Sequence, residues 1–167
     1  MFRFDESYPE DKGEMYGLMC SQLGALTEGE RRFLPDLANA SALIYGALEN
    51  INWAGFYLAA DGALVLGPFQ GGPACITIPF GRGVCGTAAA SGSAQLVKNV
   101  HEFPGHIACD EKSNSEIVVP VRSNGKVKAV LDIDSPVLAR FDDADMVGLT
   151  QLCKVLEQAI DWEKINI

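Results

Sequence analysis

Three of the five cysteines lie between positions 75 and 109, in segments whose patterns are not those of buried helices. Cys75 begins a short apolar strand pattern, Cys85 follows a glycine-rich turn, and Cys109 lies in a long polar stretch. Thiols in such places can act as nucleophiles, form exchangeable disulfides or bind a metal. Cys20 and Cys153 fall instead on apolar helical stripes, which predicts inert core residues.

Zinc coordination is one interpretation of these thiols, with His101 and His106 as further ligands. The separation of His106 and Cys109 suits two ligands of one ion. However, the chain contains no Cys-x-x-Cys pair, which zinc knuckles and ribbons require. We therefore favour redox thiol chemistry without a metal and keep zinc as an alternative.

The cysteine count and the N-terminal segment indicate the redox compartment. Five is an odd number, which excludes a fully paired disulfide framework. The opening segment MFRFDESYPEDKGEMYG lacks the apolar stretch of a secretory signal. No run approaches the roughly 20 apolar residues of a membrane helix. We expect a cytoplasmic protein in which any disulfide is transient and part of a reaction cycle.

Carboxylates and aromatic residues recur on one face of the predicted strands. Alternation places Trp53 and Tyr57 on one face of their strand. Glu116 on a second strand, and Asp132 and Asp134 on a third, likewise lie opposite apolar neighbours. If helices cover the apolar faces, the other face carries these five side chains beneath the long polar loop. This arrangement is typical of a small-molecule pocket.

Each of these residues also has a purely structural interpretation. Trp53 and Tyr57 could simply pack, as many strand aromatics do. Asp132 and Asp134 could form a solvated strand end, and Glu116 by itself is uninformative. Only their combination with the cysteines favours a functional site.

The elements that must position these residues follow from periodicity. Apolar stripes predict helices within residues 11–26 and 34–48, and a last helix that starts in the acidic segment DDAD at 142–145. A short helix is expected after the glycine-rich turn at residues 81–83. The strand patterns are NWAGFYLAA, ALVLGPF, CITIPF, AQLVKNV, EIVVPVRS and KVKAVLDIDS, with hairpin turns at Asp61-Gly62 and Asn124-Gly125.

This order of elements predicts an α+β fold, with a mostly antiparallel central sheet of about six strands and helices packed on one face. The length of 167 residues and the lack of linkers favour a single domain over residues 1–167. Residues 99–115 form a connection of the length expected for a lid or binding loop. The net charge of -9 argues against nucleic acid or an anionic membrane as a partner.

Several of these segments resemble one enzyme family. GPFQGGPACITIPFGRGVCGTAAASG, VHEFPGHIACDEKSNSEIVVPV and LDIDSP are similar to segments of the free methionine-R-sulfoxide reductases, single-domain enzymes with the GAF fold. The resemblance extends over nearly the whole chain. It implies a GAF-like catalytic domain that reduces free L-methionine-(R)-sulfoxide without a cofactor. It also implies a homodimer whose disulfide is reduced by thioredoxin.

The same resemblance implies roles for three thiols. Cys109 would attack the substrate, Cys75 would be the main resolving cysteine, and Cys85 a second thiol able to take part in disulfide exchange. A thiolate that removes the sulfoxide oxygen becomes a sulfenic acid, which another thiol converts to a disulfide.

The resemblance also implies roles for the polar and aromatic face. Glu116, Asp132 and Asp134 would bind the substrate and handle protons. Because one protonated carboxyl group could donate to the sulfoxide oxygen, we assign proton donation to Glu116 and ammonium binding to Asp132 and Asp134. Trp53 and Tyr57 would form the wall that receives the methyl sulfoxide end. The chief alternative is a non-enzymatic GAF domain that senses a small ligand, although an acidic pocket would repel a cyclic nucleotide's phosphate.

Overall fold

The computed structural model describes residues 7–29, 32–105 and 111–165, which form four α-helices and one six-stranded sheet. The helices are α1 (Lys12–Leu26), α2 (Phe33–Ala47), α3 (Gly83–Ser91) and α4 (Asp143–Ala159). The strands are β1 (Trp53–Ala60), β2 (Ala63–Gly71), β3 (Thr77–Pro79), β4 (Gln95–Val97), β5 (Ser115–Ser123) and β6 (Lys126–Ser135). Neighbouring strands are antiparallel, in the order β3-β2-β1-β6-β5-β4. The predicted α+β class and strand number are therefore confirmed.

Both predicted hairpin turns join the expected strands. Asp61 and Gly62 have φ values of 47° and 79°, and Asn124 and Gly125 have φ values of 49° and 75°. Positive φ at both central residues is the signature of the turn that matches strand twist, and Asp-Gly and Asn-Gly are the pairs that adopt it most easily. Local turn chemistry thus sets the pairing next to each turn. A register shift between Gly55 and Tyr57 in β1, and another between Val121 and Arg122 in β5, then set the pairing further along.

The apolar faces of the central strands meet the helices as alternation predicts. Ala54, Phe56 and Leu58 of β1 lie in one large core with residues of α1, α2 and α4. The alternate residues of β5 and β6 enter the same core, namely Ile117, Val119, Val121, Leu131 and Ile133. This leaves the opposite face of three adjacent strands available for other side chains.

Helices α1 and α4 are joined at a close crossing. A Cβ atom on Gly148 would lie only 2.7 Å from Cβ of Tyr16, so only glycine allows this approach. The Tyr16 hydroxyl donates to buried Asp145 at 2.8 Å, and Asp142 and Asp145 form a capping box at the start of α4. The crossing therefore fixes α1 against α4.

The short helix α3 lies on the other face of the sheet. Its residues Val84, Cys85 and Ala88 share a second, smaller core with Trp53 and Tyr57. Three helices therefore occupy the expected face, and the fourth forms a partial layer beside the polar residues. No helix among the described residues has the length and apolar character needed to cross a membrane.

Candidate functional site

Three side chains form one row across β1, β6 and β5. Trp53 pairs with Asp134, and Asp134 pairs with Glu116 on the next strand. In the neighbouring row Asp132 lies between Gly55 and Val118. Side chains directly opposite each other on neighbouring strands share a face. The sheet therefore collects the three predicted carboxylates and the indole on one surface.

The indole of Trp53 lies flat within this surface because Gly55 leaves room for it. A Cβ atom on Gly55 would lie 2.8 Å from Cη2 of Trp53. The ring stacks on Tyr57 at a centroid distance of 5.8 Å and on Phe69 at 5.2 Å. Trp53 is only 2% exposed, so the aromatic wall belongs to the packed interior. Trp53 and Tyr57 can therefore pack in the core and also form a wall of the site.

The aromatic wall also fixes the segment that leads to Cys75. The Trp53 indole N–H donates to the carbonyl of Gly72 at 3.1 Å. The Tyr57 hydroxyl donates to the carbonyl of Cys75 at 3.0 Å. Each aromatic side chain therefore satisfies its polar group by holding the backbone between β2 and β3. Phe69 was not predicted as part of the wall, since nothing in its strand pattern distinguishes it.

The cysteines differ in their covalent state. Cys75 belongs to a disulfide, whereas Cys20, Cys85 and Cys153 are free thiols. Cys153 is buried in the large core and Cys20 packs against it, as the helical stripes predicted. Cys109, the predicted nucleophile, lies outside the described residues.

Cys85 projects from the first turn of α3 towards the carboxylates. Its thiol is buried and donates to Oε1 of Glu116 at 3.8 Å. The helix start would favour a thiolate, but burial and the nearby Asp132 and Glu116 raise the pKa of Cys85 well above its ordinary value. In this conformation Cys85 is a protonated donor and a poor nucleophile.

The two buried carboxyl groups divide between a protonated and an ionised form. Glu116 and Asp132 are each 6% exposed. Burial, followed by the charges of Asp132 and Asp134, raises the pKa of Glu116 well above its ordinary value. Burial raises the pKa of Asp132 to about 6, and hydrogen bonds from Cys85 and Glu116 limit this rise. Near neutral pH, Glu116 is the carboxylic acid and Asp132 the carboxylate.

This arrangement supplies an acid and a negative charge side by side. Protonated Glu116 can donate to an oxygen that gains negative charge in a reaction. Ionised Asp132, with Asp134 beside it, can bind a cationic group of a ligand.

The same environment raises the pKa of the Tyr57 hydroxyl, chiefly through burial and then through the charge of Asp132. Tyr57 therefore acts as a neutral donor.

The end of the long loop is fastened to β6 by residues that were not predicted. The Asn114 backbone N–H donates to the carbonyl of Ser135 at 2.7 Å, and its side chain donates to the carbonyl of Pro136 at 2.8 Å. Asn114 Oδ1 also lies 2.9 Å from Nε2 of His101. These contacts join segments distant in sequence, so local patterns carry no signal for them. They position the start of β5, and hence Glu116.

The zinc ligands considered from the sequence are not assembled among the described residues. Cys75 is in a disulfide, and His101 is exposed with its ring against Asn114. His106 lies outside the described residues.

Comparison with known proteins connects this site to an enzyme family. A family model described as "GAF domain" matches residues 35–161. A protein of Escherichia coli (strain K12) named "Free methionine-R-sulfoxide reductase" is 54% identical over 157 residues, which are 92% of this chain and 95% of the relative. A Saccharomyces cerevisiae protein of the same name is 43% identical over 157 residues, covering 89% of this chain and 87% of the relative.

A solved structure shows the same fold. It is described as the free methionine-R-sulfoxide reductase from Neisseria meningitidis in complex with its substrate. Its TM-score to this chain is 0.90 at 41% identity, and the match covers 98% of this chain and 97% of that chain. The similarity therefore extends over the complete domain, including the strands that carry the site.

Proposed function

Because this chain belongs to the GAF-domain family of free methionine-R-sulfoxide reductases, we propose that it reduces free L-methionine-(R)-sulfoxide to methionine by thiol catalysis. The observation that carries the proposal is the row of Trp53, Asp134 and Glu116 beside the disulfide-bonded Cys75. Together, the row and Cys75 supply an acid, a negatively charged pocket and a cysteine that can undergo redox chemistry.

The first step is attack of the Cys109 thiolate on the sulfoxide sulfur. The oxygen passes to the Cys109 sulfur as a sulfenic acid, and methionine leaves. The Cys75 thiol then attacks the sulfenic sulfur, which forms a disulfide and releases water. The disulfide of Cys75 supports its role as a redox-active cysteine, and we propose Cys109 as its partner in the reaction cycle.

Glu116 donates a proton to the sulfoxide oxygen as Cys109 attacks, so that this oxygen separates from the methionine sulfur and becomes the hydroxyl of the sulfenic acid. Its burial and its raised pKa support this assignment, because the acid stays protonated near neutral pH. Asp132 and Asp134 bind the α-ammonium of the free amino acid. A peptide lacks this ammonium, so the buried carboxylate would lose its partner, at a cost of about 1–3 kcal/mol or more.

Trp53 and Tyr57 form the wall against which the methyl sulfoxide end packs. Their stacking with Phe69 supports this role, since the three rings make a rigid apolar surface beside the carboxylates. Cys85 holds Glu116 through its thiol. We keep its participation in disulfide exchange as a prediction, although its burial argues against a role as the attacking thiolate.

Thioredoxin returns the Cys75 disulfide to two thiols in this proposal, and the enzyme acts as a cytoplasmic homodimer. The half-buried position of Cys75 supports reduction by a dithiol protein, which must reach one sulfur atom. The three free thiols are in keeping with a reducing compartment.

The test is NADPH consumption with thioredoxin and thioredoxin reductase. We expect turnover with the R epimer of the free amino acid, and little with the S epimer or with sulfoxide inside a peptide. Cys20→Ser serves as a matched control that should keep wild-type activity. Binding of a cyclic nucleotide without sulfoxide-dependent NADPH consumption would instead favour a ligand sensor.

A further inference from the structure

One side-chain atom each of Cys85, Glu116 and Asp132 forms a compact triangle in the buried site. The sulfur and the two carboxylate oxygens all lie within 4.8 Å of one another. The separation of Cys85 Sγ and Glu116 Oε1 is 3.8 Å. In tetrahedral zinc sites the metal lies about 2.3 Å from sulfur and about 2.0–2.2 Å from oxygen, which separates such ligand atoms by roughly 3.5 Å. Small side-chain shifts would therefore suffice to enclose an ion.

An unsatisfied oxygen provides an independent indication of a ligand. Among the residues that the structure describes, none forms a hydrogen bond with Oδ1 of Asp132, which is buried in a residue that is only 6% exposed. A buried carboxylate oxygen without a partner is costly, and binding a cation is one of the usual ways to satisfy it. Asp132 is one of the three residues of the triangle, so the unsatisfied oxygen and the cluster of possible ligand atoms lie in the same site.

We infer that Cys85, Glu116 and Asp132 bind a divalent cation of the zinc class, with a fourth position left open for water. The thiolate selects against Mg²⁺ and Ca²⁺, which prefer six or more oxygen ligands. Three protein ligands with an open position are typical of accessible zinc sites. This set differs from the one considered from the sequence, because it needs neither Cys75 nor a histidine.

The triangle does not require a free Cys75 thiol. The triangle is formed in a structure in which Cys75 is already in a disulfide. Zinc should therefore bind the oxidised protein as well as the reduced one. If the proposed function holds, a bound ion also competes with methionine sulfoxide, because it occupies Glu116 and Asp132.

Metal binding releases protons from this site. Thiol and carboxyl groups bind a metal ion in their deprotonated form, so a protonated ligand gives up its proton when the ion binds. The affinity should accordingly increase as the pH is raised.

The experiment uses the full chain in its disulfide form, freed of metals with a chelator that is then removed. Zn²⁺ affinity is measured by competition with a chromophoric chelator, and Co²⁺ is added separately to detect thiolate-to-metal charge-transfer absorption. We expect one high-affinity ion per chain and a charge-transfer band. Cys85→Ser should lower the Zn²⁺ affinity by at least about 100-fold and remove the band. Cys20→Ser is the matched control and should change neither.

Asp132→Asn gives a second measurement in case Cys85→Ser disturbs α3, which circular dichroism would reveal. This variant should also weaken Zn²⁺ binding while the charge-transfer band is retained at high Co²⁺. Binding by the reduced protein alone, or equal Zn²⁺ affinity in both variants and wild type, would overturn the inference. Reductase activity is assayed with chelator present, so loss of the proposed function and loss of the metal site are separate results.

Discussion

At the scale of single residues, the site depends on two buried carboxyl groups with different protonation. Glu116 is opposite Asp134 across β5 and β6, and Asp132 is two pairs further along, opposite Val118. Burial penalises the charge of each, and the charge of Asp132 then favours the protonated form of Glu116. A neutral acid and a charged base can therefore exist side by side near neutral pH.

Glu116→Gln tests the role of this residue as the proton donor. The amide keeps the size of the side chain but lacks the acidic proton, so kcat should decrease by about 100-fold or more while KM changes little. Steady-state kinetics of the thioredoxin-coupled reaction measure both constants. Glu14→Gln on the exposed side of α1 is the control and should leave both unchanged. A large increase in KM at unchanged kcat would assign Glu116 to substrate binding instead.

Asp132→Asn should make the protein more stable above the pKa of Asp132. The folded pKa of about 6 exceeds the ordinary value of 3.8, so the folded state is penalised when the group ionises. This penalty is absent below the ordinary pKa and complete above the folded pKa. We expect Asp132→Asn to gain about 1–3 kcal/mol in unfolding free energy at about pH 7.5, and almost nothing at about pH 4. Urea denaturation at both values measures this, and a pH-independent difference would contradict it.

At the scale of elements, strand β1 connects the aromatic wall to the carboxylates. Gly55 lies between Trp53 and Tyr57, and its missing side chain leaves space for the indole. The strand pairs with β6 on one side and with β2 on the other, so both neighbours constrain the ring. The position of the wall is therefore a property of three strands together.

Gly55→Ala should displace Trp53 and weaken substrate binding. The added Cβ atom would meet the indole and the β2 backbone at Phe69, with a destabilisation of about 1–3 kcal/mol. We expect KM to increase at least about 10-fold, because an apolar contact with substrate is worth 1–3 kcal/mol. Gly17→Ala is the control, because its Cβ atom meets nothing within 4 Å in α1. That control should gain up to about 1 kcal/mol. Equal KM values in Gly55→Ala and Gly17→Ala would show that the aromatic wall does not bind the substrate.

At the scale of the whole molecule, the proposed reaction joins segments that are distant in sequence. Cys75 follows β2, Glu116 opens β5, and Asp132 lies near the end of β6. The sheet order places β1 and β6 at its centre, so all of these segments border the same surface.

Cys109→Ser should abolish turnover, because the hydroxyl cannot replace the attacking thiolate. Cys75→Ser should instead reduce about one equivalent of sulfoxide and stop at a sulfenic acid, since the resolving thiol is absent. Methionine production per chain and trapping of the sulfenic acid distinguish these outcomes. Cys153→Ser is the control in the large core and should turn over repeatedly. Sustained turnover by Cys109→Ser would exclude it as the nucleophile.

The contact between α1 and α4 should contribute to stability in a pH-dependent way. Nζ of Lys12 lies 2.8 Å from Oδ2 of Asp142. The hydrogen bond from Lys12 is the largest of the effects that lower the pKa of Asp142 to about 2. A carboxyl group with a lowered folded pKa stabilises the protein above its ordinary pKa of 3.8, and this contribution is lost as the pH falls through the folded value. Lys12→Met should therefore be less stable than wild type at neutral pH, with a difference that shrinks below about pH 3. Denaturation at several pH values measures this, and a constant difference would contradict it.

Most of the scaffold could be predicted because its determinants are local. Alternation along β1, β5 and β6 separated core residues from the polar face, and the Asp-Gly and Asn-Gly pairs predicted both hairpins. The exception is α3, whose small residues carry no marked apolar stripe and therefore do not indicate the face it covers. The roles of Cys75, Cys85 and Cys109 came only from the family resemblance, since three thiols admit several chemistries.

The sequence by itself determined the strands, their faces, the two hairpin turns and the membership of Trp53, Glu116 and Asp132 in one set on the same face. These follow from a side-chain period of two and from backbone preferences, both of which act between neighbouring residues. Only the tertiary structure decided that Cys85 lies against Glu116, that Phe69 completes the aromatic wall and that Asn114 fastens the loop. Such contacts depend on the order of strands across the sheet, which no local pattern contains, and burial acquires its effect on pKa only once the chain is packed.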